Sequence, residues 1–110
     1  MARSTARVTT DRPARYAKQL AAHMGRKITA EWSEETGRGT LAFGAGRAEL
    51  VAEEGALLLA VDGEAENLAQ LEDVVGRHLV RFGTRDELVV AWQRENGEAG
   101  TVQRLTGEEG

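Results

Sequence analysis

The stretch "ITAEWSEETGRGTLAFGAGRAELVAEEGALLLAVD", Ile28–Asp62, decides the fold. Its apolar residues alternate with polar ones instead of recurring every three or four positions, the pattern of half-buried strands. In "ITAEW", Ile28, Ala30 and Trp32 alternate with Thr29 and Glu31. In "TLAF", Leu41 and Phe43 share a side. "RAELVAE" points Ala48, Leu50 and Ala52 one way and Glu49, Val51 and Glu53 the other, and "ALLLAVD" sets Leu57, Leu59 and Val61 on one face. The intervening "SEETGRG", "GAG" and Glu54-Gly55 are short polar or glycine-bearing reversals. Four short strands joined by three short turns predict an antiparallel meander.

Helical periodicity flanks the meander on both sides. Upstream, "PARYAKQLAAHMG" sets Tyr16, Leu20 and Met24 at four-residue spacing, with Ala17 and Ala21 beside them. Pro13 suits a first helical turn and Gly25 a stop. Downstream, Asp62 is positioned to cap a helix over Glu64–Phe82, with Glu64 and Glu66 at the positive end of its dipole. Leu68, Leu71, Val75, Leu79 and Phe82 form its apolar stripe, and Gly83 ends it. A last strand, "ELVVAWQ", aligns Leu88, Val90 and Trp92.

The order α-β-β-β-β-α-β predicts a two-layer α+β sandwich, an antiparallel sheet of about five strands with two helices packed on one face. Residues 13–94 make a single domain. Residues 1–12 read as a flexible or extended arm, in which "RVTT" has the propensity for a short edge strand. Residues 95–110 read as a disordered acidic, glycine-rich tail. A sheet covered on one side leaves the other bare, and Val51, Leu58, Ala60, Val89 and Ala91 fall there. Such a patch is a candidate for self-association through the open sheet face, against the plainer reading of scattered surface apolar residues.

At 110 residues the chain has room for one modest core. It contains no cysteine, which excludes disulfides, thiolate ligands and a cysteine nucleophile and fits a reducing compartment. No apolar run approaches the roughly 20 residues of a membrane span, and no hydrophobic signal region opens the chain. The expected location is cytoplasmic, with no membrane partner. The net charge of −4 is uneven: the first 27 residues hold seven basic side chains against Asp11, a net of +6, leaving −10 for the rest. A basic segment can bind phosphates, but no aromatic interleaves with its arginines before Tyr16, which disfavours nucleic acid. A basic start complementing an acidic body is the simpler account.

Few residues offer chemistry. His78 sits at the border of the second helical stripe and His23 at the edge of the first, near Tyr16. Helices packed side by side bring the two imidazoles together, and histidines with a carboxylate can hold iron. Against this, the histidines are 55 residues apart with no second ligand at i+4. The simpler reading gives each ring an apolar packing role and one hydrogen bond. A haem ligated by one histidine needs more cavity than so small a core offers. No metal or other cofactor is assigned. Glu72 and Asp73 read as a solvated helix face. Ser4 and Ser33, the only serines, lie in no nucleophile elbow. "FGAGRAEL" lacks the ending of a phosphate loop and precedes a strand. Arg81 and Arg85 form either an anion clamp or salt bridges to Asp86 and Glu87. No catalytic residue emerges, and the reading is a non-catalytic binding or accessory protein.

"RPARYAKQLAAHMGRK", with "LEDVVGRHLVRFGTRDELVVAW", resembles a small bacterial family, domain of unknown function 2218, over about Val8–Trp92. The phrases "RYAKQLAAH" and "GRHLVRF" combine unusual polar residues with helix-period apolar ones. The resemblance implies a bacterial cytoplasmic protein without an established activity. Members are sometimes encoded beside, or fused to, siderophore-interacting reductases, which implies a loose tie to iron uptake. The family histidines match His23 and His78. Where members often carry a cysteine and a larger polar residue, this chain has Ala21 and Ala22, which speaks against thiol chemistry.

Overall fold

The computed structural model describes residues 2–82 and 88–104. Its elements, in chain order, are β1 (Ala2–Thr9), α1 (Pro13–Met24), β2 (Thr29–Ser33), β3 (Arg38–Phe43), β4 (Gly46–Glu53), β5 (Ala56–Gly63), a 3₁₀ turn (Ala65–Asn67), α2 (Leu68–Phe82), β6 (Val89–Arg94) and β7 (Ala99–Arg104). The meander forms as its alternation predicts. Its Glu54-Gly55 turn places Gly55 at φ 81°, a left-handed conformation that glycine adopts without strain.

All seven strands join one open sheet in the order β2-β3-β4-β5-β1-β6-β7, and every pairing is antiparallel. This corrects the expectation of about five strands, and with it the expected arm and tail. β1 is neither loose nor an edge strand. It lies between β5 and β6 and pairs with β5 along its whole length, from Ala2↔Gly63 to Thr9↔Ala56. Its inward residues, Ala2, Ser4, Ala6 and Val8, are small, so its alternation carries little hydrophobic signal. β7 follows an Asn96-Gly97 reversal, with Gly97 at φ 94°, and pairs with β6. The ordered domain therefore reaches beyond 13–94 at both ends.

Both helices pack on one face. Each touches β4 and β5, and both feed a single core. α1 contributes Leu20 and Met24, α2 contributes Leu71, Val75 and Leu79, and the sheet supplies Leu41, Leu50, Leu57 and Leu59. Each fully buried leucine contributes about 1.5–3 kcal/mol. α2 starts at Leu68 rather than Glu64, and Asp62 caps nothing. Asp62 stays in β5, opposite Arg3, and its carboxylate accepts a 2.8 Å hydrogen bond on the face away from the helices. No described helix is long and apolar enough to cross a membrane.

Candidate binding face and histidine cluster

The face without helices is built in rows, because antiparallel register sets facing residues side by side. The first row is Arg38–Val51–Leu58–Arg7 across β3, β4, β5 and β1. The second is Thr40–Glu49–Ala60–Thr5–Gln93, reaching β6. The third is Ala42–Arg47–Asp62–Arg3. Ala91 of β6 pairs with Val102 of β7 beyond the first row. Val51 and Leu58 are half-buried, Ala60 is buried by its neighbours, and Ala91 is exposed. Val89 and Val102 are 44% and 55% exposed, the large apolar side chains most open to water among the described residues. Apart from those two valines, this face holds a shallow depression of about 570 Å³, lined by Val51, Leu58, Ala60 and Ala91 with Arg3, Arg7, Arg38, Glu49 and Gln93 around them. That volume lies within the usual range for small-molecule sites.

The charges on this face divide into two kinds. In the third row they are compensated: Arg3 donates to Asp62 at 2.8 Å and to Glu49 at 3.1 Å, and Arg47 donates to Glu49 at 3.2 Å. The Asp62 and Glu49 carboxylates hold the Arg3 guanidinium above its ordinary pKa. In the first row Arg7 and Arg38 are exposed, and neither has an ion pair among the described residues. Of the seven basic side chains in the first 27 residues, Arg3 and Lys18, which donates to Glu34 at 2.7 Å, are the two with an ion pair to the acidic body among the described residues.

The second cluster joins the helices. The His23 and His78 rings lie 5.2 Å apart between centroids, tilted by 43°, and Phe82 meets His23 edge-on at 5.5 Å. His78 is half-buried and its Nδ1 lies 2.7 Å from the Val74 carbonyl one turn back, so that nitrogen carries the proton and donates. His23 is exposed. Tyr16 sits about 10 Å before His23 along α1 and is buried in the core. No group of three or more histidine, cysteine, aspartate or glutamate side chains suited to a metal occurs among the described residues. Arg81 is exposed in the last turn of α2, while Arg85, Asp86 and Glu87 lie outside the described residues.

Glu72 overturns its reading as part of a solvated face. It is fully buried under α2. Arg94 donates to it from Nε and Nη2 at 3.2 Å, Thr101 from its backbone N–H at 3.0 Å and from its hydroxyl at 2.9 Å. Burial pushes the Glu72 carboxyl up, but hydrogen bonds from Arg94, Ser4 and Thr101 outweigh it and hold it below the usual range. The network continues: Gln103 Nε2 donates to the Thr101 hydroxyl at 2.7 Å, and Trp92 Nε1 donates to Gln103 Oε1 at 2.6 Å. Such a carboxylate has no free lone pair aimed at solvent and clamps β6 and β7 to α2. Gly76, four residues on and on the same face, is equally enclosed: a Cβ there would strike the Gln103 side chain.

Comparison with known proteins agrees with this architecture. The family model described as "Uncharacterized protein conserved in bacteria (DUF2218)" matches residues 5–93. No curated protein matches significantly. Among solved structures, the NMR structure of PA4090 from Pseudomonas aeruginosa is similar, with 36% identity and a TM-score of 0.70 over 84% of this chain and 96% of that one. A family model spanning most of the sheet and both helices places the chain in the DUF2218 family of uncharacterised bacterial proteins.

Proposed function

We propose that the protein is a non-catalytic binding protein and that the uncovered sheet face is its binding surface. One observation carries the reading: the apolar strip of Val51, Leu58, Ala60 and Ala91 floors a depression that no element of the described chain covers. Apolar surface gathered in a rimmed concavity favours a ligand, whereas scattered surface residues leave no such shape. The buried carboxylate, the obvious titrating group, is closed by its own donors, which speaks against acid–base work there. The absence of cysteine fits a cytoplasmic setting.

The neutral dye N-phenyl-1-naphthylamine tests the surface. Its fluorescence rises with the wild-type chain and stays flat with Leu58→Glu at unchanged thermal midpoint. An equal rise with both chains moves the binding elsewhere and ends the reading.

The 5.2 Å approach of His23 and His78 favours a second reading, a metal- or haem-linked accessory role. With His78 Nδ1 bonded to Val74, its Nε2 is the ring nitrogen left for a metal. Iron, zinc and haemin titrations followed by absorbance and thermal shift support this role if His78→Ala abolishes the response. A response that survives the substitution removes it.

A further inference from the structure

We propose that the uncovered face binds a small organic acid, an apolar body ending in a carboxylate, through Arg7 and Arg38; this rests on the reading of that face as the binding surface.

The two arginines stand at the ends of one row, with Val51 and Leu58 between them. Three strand spacings separate them, roughly 14 Å between Cα atoms. Both line the same depression. A guanidinium is a planar fork of donors that grips a carboxylate through paired hydrogen bonds. Elsewhere on this face the forks are occupied: Arg3 holds Asp62 and Glu49, and Arg47 holds Glu49. At Arg7 and Arg38 no carboxylate of the described chain takes that place. Cations beside unfilled apolar surface call for a ligand that has both parts. A bare anion would leave Val51 and Leu58 wet, and a neutral apolar molecule would leave the forks unused.

Charge placement also decides between this ligand and a second copy of the chain. A face-to-face dimer needs a twofold axis lying between the two sheets. If that axis passes over the Val51–Leu58 pair, it sets the arginines of one copy over those of the other, whether it runs along the strands or across them. Like charges directly opposed are destabilising. A carboxylate brought to either end of the same row meets a guanidinium, and the Glu49 carboxylate that also lines the depression is already held by Arg3 and Arg47. Nucleic acid is a poorer occupant, because no aromatic side chain lines the depression for base stacking.

The test compares two amphiphiles of equal apolar length and opposite charge. Octanoate and octylammonium are titrated separately into ¹⁵N-labelled full chain, and the amide resonances are followed. The expected result is that octanoate shifts the amides of Arg7, Arg38, Val51 and Leu58, while octylammonium does not. In the Arg7→Gln/Arg38→Gln variant, octanoate binds about tenfold more weakly or worse, with the thermal midpoint retained. Equal response of these amides to both amphiphiles overturns the acid specificity and leaves the face as an apolar site. Shifts confined to other residues, or a concentration-dependent dimer mass that the face substitution Leu58→Glu abolishes, overturn the ligand outright.

Discussion

Leu57 and Leu58 are neighbours on β5 and look into different worlds. Leu57 is sealed between sheet and helices, while Leu58 stands half-buried on the face without helices. Polar groups follow the same division. On the covered face Glu72 is closed by Arg94 and Thr101, so its charge serves the packing of α2 on β6 and β7. On the open face Arg7 and Arg38 have no such closure among the described residues. The difference teaches that a charged residue declares its role through its partners. The carboxylate that read as part of a solvated helix face is structural, and two ordinary surface arginines are the available groups.

The largest expected effect separates the leucines. Leu57→Ala removes sealed core volume and destabilises by about 2–5 kcal/mol. Leu58→Ala, which leaves no enclosed cavity, costs about 1 kcal/mol or less. Urea unfolding of the two variants measures this gap, and equal losses break the comparison.

Glu72→Gln comes next. It keeps the shape of the side chain but weakens four charge-assisted bonds and turns an NH₂ toward donors. A loss of about 1–3 kcal/mol is expected, lessened by water at the partly exposed Arg94. The sign with pH follows from the lowered carboxyl. The folded chain binds that proton less readily than the unfolded one. The contribution is therefore complete above the ordinary carboxylate pKa and is lost as pH falls through the lower folded value. Unfolding midpoints measured down an acid series should fall more steeply in the wild type than in Glu72→Gln.

Gly76→Ala sharpens the same point through geometry. Its Cβ would land on the Gln103 amide, which must withdraw from Trp92. The expected loss is about 1–3 kcal/mol, with a changed Trp fluorescence that a mere helix effect does not give. The smallest effect belongs to Arg7→Gln, whose stability should stay within about 0.5 kcal/mol of wild type. A larger loss means the arginine has a structural partner and belongs with Glu72.

What the sequence revealed follows the same physics. The meander was legible because Leu41, Leu50, Leu57 and Leu59 put large apolar residues at every second position. The helices were legible from Leu20, Met24, Val75 and Leu79, and so was the meeting of His23 and His78 once the helices lay side by side. The open-face positions of Val51, Leu58 and Ala91 followed from strand alternation alone. β1 was obscured by its small inward residues, although Arg3, Thr5, Arg7 and Thr9 alternate with them in full. β7 was hidden by composition. The glycines and glutamates on either side of it read as a tail, while Asn96-Gly97, a strong hairpin signal, went unweighted. Glu72 then had to be misread, because its partners Arg94 and Thr101 flank that unrecognised hairpin. A buried carboxylate is legible only after the strands that satisfy it are.

The division between a face that holds the fold and a face left free is tested most directly by urea unfolding of Leu58→Glu at two protein concentrations, followed by Trp fluorescence. The account predicts a midpoint close to that of the wild type and independent of concentration, since position 58 already meets water. A loss as deep as that of Leu57→Ala, or a wild-type midpoint that climbs with concentration while the variant's does not, would contradict it and mean that something in solution already covers the face.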